Sequence, residues 1–205
     1  MGADREEIRA AAVRGELRVA KGSLAGVSPY HSLFTSRRSP SKETLTDGST
    51  PRMSAMESEA EAEALDWIRR TYATNPIATL LGADPLACDP VAGRITIAFE
   101  ARPEFCNLLG TVQGGMLAAM LDLVMSFSAL CTMGGPGWVV PTIDMTTHFL
   151  SPARPGRLVG EGTTVKKGRT VTFMEGRLFD AKGVLLTTGT ASGTLMKWPP
   201  ERRPG

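Results

Sequence analysis

The rhythm of apolar and polar positions changes several times along this chain, and each change predicts an element. From Glu57 to Thr74, Ala60, Ala64, Trp67 and Ile68 fall at helical spacing among glutamates and alanines. Asn75-Pro76 closes the run, so this is a peripheral amphipathic helix. After Ile77 to Leu81, a Gly82-Ala83-Asp84-Pro85 turn and the alternation Arg94-Ile95-Thr96-Ile97-Ala98-Phe99-Glu100 predict two short antiparallel strands. Gly114 to Met133 is apolar on every side and predicts one long helix. Val139 to Leu150 reads as strand. Three more strand-like runs follow, Arg157–Lys166, Thr170–Asp180 and Val184–Lys197, with turns at Lys167-Gly168 and Ala181-Lys182-Gly183 that make them a meander.

Helix, two strands, a long apolar helix and four strands make an α+β domain rather than alternating βαβ units. A helix that is hydrophobic all round must be buried all round, and a curved antiparallel sheet wrapped around it is the simplest enclosure. Gly160, Gly162, Gly176, Gly189 and Gly193 fit that picture, because glycine lets a strand bend or another backbone approach. A membrane span is the rival for Met116–Met133. It fails on length against the ~20 apolar residues required, and on Asp122, which would cost roughly 2.5–3.5 kcal/mol at a bilayer centre.

Residues 1–56 carry nine basic and six acidic side chains, cluster Ser, Gly, Thr and Pro from Gly22 to Pro51, and show no sustained apolar period. They are expected to be a disordered extension, with a short charged helix possible over Arg5 to Lys21. The domain is expected over 57–198, with a tail at 199–205. They lack the apolar core of a secretory signal, and Asp4, Glu6, Glu7 and Glu16 speak against an organellar transit peptide. The whole chain of 205 residues balances 23 basic against 21 acidic side chains, which argues against a dedicated nucleic-acid binder. Cys88, Cys106 and Cys131 are too few and scattered for a disulfide framework, and two histidines supply no metal-ligand spacing. They read as reduced thiols of a cytoplasmic protein.

Asp122 is the only charge between Gly114 and Met133. A lone carboxylate there is costly without partners, and aspartate gains nothing in mid-helix. It is either a base or nucleophile poised for use, or a carboxylate bonded to donors at a subunit interface. Just before the helix stand Asn107, Gly110, Gln113, Gly114 and Gly115. Glycines at a helix start leave backbone N–H groups accessible where the dipole favours negative charge, so a carbonyl oxygen could be polarised there. Gly114 and Asp122 are about 10–12 Å apart along the axis, far for one small group. A second copy packed antiparallel would bring one carboxylate near the other helix start.

Three stretches resemble the hotdog-fold acyl-CoA thioesterases of the phenylacetate-degradation (PaaI-like) type: Asn75-Pro76-Ile77-Ala78-Thr79-Leu80-Leu81-Gly82; Asn107 through Gly115 with Asp122; and Thr142-Ile143-Asp144 leading to Phe149-Leu150-Ser151-Pro152-Ala153. The likeness spans roughly Asn75 to Lys197. It implies a sheet wrapped around the central helix, homodimers joined edge to edge or homotetramers, and active sites at the dimer interface. By position, Asp122 is similar to the family's catalytic carboxylate, Gly114 to its N–H donor to the thioester oxygen, and Asn107 to the polar residue facing them. Gly115 belongs to the same substrate-binding helix start, and Thr142 falls where the family often has a hydroxyl.

One departure stands out. Gln113 replaces the histidine of the family's His-Gly-Gly, and glutamine donates a hydrogen bond but cannot titrate. His148 offers itself as a substitute base on the strand face shared by Val140, Thr142, Asp144 and Thr146, opposite Ile143, Met145 and Phe149, but some 20 Å of strand separates it from Thr142. Arg169 with Lys166 and Lys167, and Arg154 with Arg157, are candidates for the phosphates of coenzyme A, or are merely solvated. The implied activity is hydrolysis of an acyl-coenzyme A, with no cofactor beyond the coenzyme A of the substrate and neither nucleic acid nor membrane as partner. A non-catalytic acyl-CoA binding module and a hydratase or dehydratase on the same fold are the alternatives.

Overall fold

A computed structural model describes residues 50–198, with side chains described from Ser58. The expectations for the first 49 residues and the last seven lie outside the described residues. The helix expected from Glu57 starts earlier, as α1, Thr50–Ala73. Asn75 then caps a short helix α2, Pro76–Leu80: its side-chain oxygen accepts from the amides of Ile77 (3.1 Å) and Ala78 (3.4 Å), and proline takes the first position, where its missing N–H is no loss. The turn expected at Gly82-Ala83-Asp84-Pro85 is shorter than read, because Asp84 and Pro85 already belong to β1, Asp84–Asp89, paired with β2, Arg94–Ala101. Proline is tolerated there because β1 is an edge strand near its start.

The long apolar run forms α3, Gly114–Cys131. After it come β3 (Trp138–Val139), β4 (Thr142–Phe149), β5 (Gly156–Lys167), β6 (Val171–Asp180), β7 (Leu185–Thr194) and β8 (Met196–Lys197). Six strands make one antiparallel sheet in the order β1-β2-β5-β6-β7-β4, and β3 pairs with β8 as a separate ribbon. The sheet wraps α3, the hotdog arrangement. Met120, Leu121, Val124 and Met125 of the helix are buried in one cluster with Ile97, Phe99, Leu158, Met174 and Leu178 of the strands. Glycine makes the approach possible: a Cβ on Gly162 would collide with the Val124 carbonyl of the helix backbone, and one on Gly176 would come within 2.8 Å of Met125 Cγ. By length and composition α3 could cross a bilayer, yet 61% of it is buried inside the domain.

Burial all round does not hold. Gly115, Ala118, Ala119, Asp122 and Ser126 share one stripe of α3 that the sheet leaves partly open. That stripe and the free edge of β4 face the same gap, because β4 ends the sheet and contacts α3. The opposite edge, β1, is covered by α1, where Ile68 and Tyr72 are buried, Tyr72 packs on Phe127 at 4.1 Å between ring centroids, and the Arg69 guanidinium donates to the Pro85 carbonyl at 3.0 Å.

Candidate active site

The pairing of β4 with β7 skips a residue between Thr142 and Asp144, a bulge centred on Ile143. A bulge inverts the alternation beyond it. Thr142, opposite Gly193, therefore faces the helix, as do Met145, packed on the core, and Phe149, whose ring lies against Gly114. The uninterrupted alternation expected from sequence grouped Thr142 with Asp144, Thr146 and His148. The bulge separates them: Asp144 bonds to Ser192 on the outer face, and His148 is exposed on that face with its neighbour Thr188. His148 has no route to Asp122 from there.

Turned inward, the Thr142 hydroxyl donates to Asp122 Oδ1 at 2.5 Å. Asp122 is half-buried, on the open stripe of α3, and its other carboxylate oxygen has no hydrogen-bond partner among the described residues. The costly lone charge thus has a donor partner, and a fixed orientation follows from it.

At the other end of β4, Phe149 packs on the first residue of α3; a Cβ on Gly114 would lie 3.0 Å from its ring. Gln113 is the N-cap but makes no side-chain bond to the helix, while its carbonyl accepts the amides of Met116 and Leu117. The amides of Gly114 and Gly115 precede the helix's own ladder, as the first N–H groups of any helix do. Gly115 has open space where a side chain would be, and Gln113 is exposed beside it. Such amides, with no side chain over Gly115, suit an oxygen with partial negative charge.

Asn107 is differently engaged. Its side-chain oxygen accepts from the Leu109 amide (2.9 Å) and from Thr111, its Nδ2 donates to Thr111 Oγ1 (2.9 Å), and Arg154 reaches Gly110 O. Asn107 therefore braces the loop that delivers the chain into α3. Arg154 stands at the Gly114 end of β4, whereas Arg169, exposed in the β5–β6 turn, stands at the Asp122 end, since Thr172, Gly193 and Thr142 form one row across β6, β7 and β4. Lys167 donates to Thr132 O at 2.9 Å, and two guanidinium nitrogens of Arg157 are buried without a hydrogen-bond partner among the described residues.

In one chain, then, the structure brings together Asp122 with Thr142, and Gly114 with Phe149, at opposite ends of β4. Eight residues of helix separate the two pairs, about 12 Å. Phe149 was not singled out by its sequence context, because its contact with Gly114 joins positions 35 apart and leaves no local trace.

The profile of the Thioesterase superfamily matches residues 109–187. Human acyl-coenzyme A thioesterase 13 is 31% identical over 114 residues, covering 54% of this chain and 74% of that protein. The chain belongs to the thioesterase superfamily. A solved structure of a phenylacetic acid degradation-related protein from Ralstonia eutropha is 33% identical, with a TM-score of 0.58 over 62% of this chain and 98% of its own. The E. coli PaaI protein, 15% identical with a TM-score of 0.60 over 67% of this chain and 96% of its own, shares the fold. The segment that matches the thioesterase profile runs from the loop before α3 into β7, and so takes in Gln113, Gly114, Gly115, Asp122, Thr142 and Arg169, with Asn107 just ahead of it.

Proposed function

We propose that this thioesterase-superfamily protein hydrolyses acyl-coenzyme A thioesters at sites shared by two copies of the chain. The observation that carries the proposal is the separation of two half-sites at opposite ends of a bare edge strand. Antiparallel pairing of β4 with its own copy about a two-fold axis sets the Thr142 end of one strand beside the Phe149 end of the other. Asp122 of one protomer then faces the Gly114 amide of its partner. Ile143, Phe149 and Leu150, all more than half exposed in the single chain, lie along that edge and would be covered. The same two-fold brings Arg169 of one protomer toward Arg154 of the other, a pair of cations for the phosphates of coenzyme A.

In that arrangement the thioester carbonyl oxygen points at the helix start and the developing oxyanion is held by the Gly114 N–H. Asp122, oriented by Thr142, uses its free oxygen either to take a proton from the attacking water or to attack the carbonyl carbon, in which case water then cleaves the anhydride. Both routes break the C–S bond and yield a carboxylic acid and the thiol of coenzyme A. Water is the only co-reactant, and no further cofactor is called for. Three free thiols, Cys88, Cys106 and Cys131, suit a reducing compartment such as the cytoplasm.

Gln113 supports a second reading, an acyl-CoA binding module. The test is release of free thiol from a panel of acyl-CoAs, with binding measured in parallel. Turnover of any member supports the hydrolase. Tight binding with no thiol released from any of them establishes the binding module instead.

A further inference from the structure

All three tryptophans of the chain, Trp67, Trp138 and Trp198, line a single cavity of about 640 Å³ between α1, the β1–β2 turn and the Gly134–Gly137 loop. It is remote from the half-sites. Its floor is Cys131, nine positions after Asp122; at 3.6 residues per turn that is about two and a half turns, so the two side chains leave α3 on opposite sides.

The walls are built to be open. On α1 the cavity-facing stripe is Ala60, Ala64, Trp67 and Thr71, and the two alanines, one turn apart, leave room where larger side chains would close the gap. The β3–β8 ribbon exists as a two-rung ladder outside the main sheet, and it holds the other two tryptophans: Trp138 pairs with Lys197, and the Trp198 amide donates to Gly137 O at 2.9 Å. Gly134, Gly135 and Gly137 all have positive φ (68°, 147° and 95°), a backbone that presents no side chain to the cavity and that other residues adopt only with strain. At the rim Arg70 is paired with Asp66 at 2.7 Å, so it brings little free charge.

We infer that this cavity is a binding site for an apolar small molecule with a flat aromatic or acyl body, distinct from the thioester site. Its volume lies in the range of about 300–1,000 Å³ common to such sites, and its tryptophans, alanines, glycines and Cys131 reward apolar contact, with the charged Glu63 and Arg70 exposed at the mouth. An occupant would rest on the C-terminal turn of the helix that carries Asp122.

The tryptophans make the test direct. The full-length protein is titrated with 1-anilinonaphthalene-8-sulfonate, an aromatic probe that takes up tryptophan emission, and a non-hydrolysable acyl-CoA thioether is then added. The expected result is saturable binding of one probe per chain with quenching of tryptophan emission, not displaced by the thioether. Ala60→Phe, a substitution at an exposed helix position that fills the mouth, should weaken binding at least tenfold, and Ala60→Leu should do so to a lesser degree, both with unchanged melting temperature and unchanged thiol release. Equal affinity in both variants, or displacement of the probe by the thioether, overturns the inference; neither result bears on whether thioesters are hydrolysed.

Discussion

At the scale of single residues, the question is why a helix otherwise made of Leu, Met, Val and Ala carries Asp122. A half-buried carboxylate held by one donor, Thr142, suits the base or nucleophile proposed above, and a substitution tests that role. Asp122→Asn keeps the volume and removes the charge. Thiol release should fall at least about 10²-fold, as in lost acid–base or nucleophilic catalysis, while the protein stays folded and still binds acyl-CoA. Near-normal turnover of a folded Asp122→Asn protein would sink the mechanism. Gln113 lies exposed at the helix start and its side chain makes no capping hydrogen bond, which leaves that amide available to substrate. Gln113→His should therefore be tolerated or raise turnover, and Gln113→Ala should lower it only modestly. These are compared in kcat and KM on one acyl-CoA, and a large loss for Gln113→His would mean that the amide makes a contact imidazole cannot replace. Asp122 was legible in the sequence because a lone charge in an apolar run is a local signal. Thr142 enters the sequence reading only as a position where the resembled family often has a hydroxyl, and its bond to Asp122 joins positions 20 apart that local alternation does not connect.

Elements show where local rules hold and where pairing overrides them. The β1–β2 turn follows its sequence: Asp89 Oδ1 accepts the amides of Ala92 (2.7 Å) and Val91 (3.1 Å), and Oδ2 bonds Arg94 at 3.1 Å. Burial pushes the Asp89 carboxyl up, but the Ala92 amide, Arg94 and the Val91 amide outweigh it and leave it below its ordinary value. A carboxyl depressed by folding stabilises fully above the unfolded value of about 3.9 and loses that contribution as pH falls through the lower folded value. Asp89→Asn should thus cost a few tenths of a kcal/mol up to about 1 kcal/mol at pH 7, since solvent screens its pairing with the exposed Arg94, and its melting temperature should converge on that of the parent as pH drops below about 4. A gap that stays constant from pH 7 to pH 2.5 would show that the charge of Asp89 plays no part. In β4 the opposite occurs. Alternation from Val140 to His148 is a sound strand signal, but the extra residue at Ile143 is set by how β7 pairs, and it turns Thr142 inward while leaving Asp144 and His148 outside.

For the whole molecule the decisive feature is what one chain leaves uncovered. α1 closes the β1 edge, but no described element covers β4, and the open stripe of α3 faces the same side. Exposed edge strands bearing apolar side chains are templates for association. Light scattering should give a dimer or a dimer of dimers. Ile143→Lys puts a charge on that edge without touching Asp122 or Gly114; it should shift the protein toward monomer and lower turnover in proportion, with the fold kept by circular dichroism. A monomeric Ile143→Lys protein with full activity would overturn the shared site.

The amino-acid sequence by itself determined the order and type of most elements, the enclosure of one apolar helix by a sheet, and which carboxylate is the candidate, because periodicity, turn chemistry and an isolated charge are properties of neighbouring residues. Only the tertiary structure decided that Asn75 starts a helix at Pro76, where a five-residue element is too short to show a period, and that one stripe of α3 stays open, where an all-apolar run cannot say which side lacks a partner. It also decided the inward turn of Thr142, the contact of Phe149 with Gly114 and the meeting of Trp67, Trp138 and Trp198 around one cavity. Each of these depends on strand register or on packing between segments far apart in the chain, and no window of local sequence contains both partners.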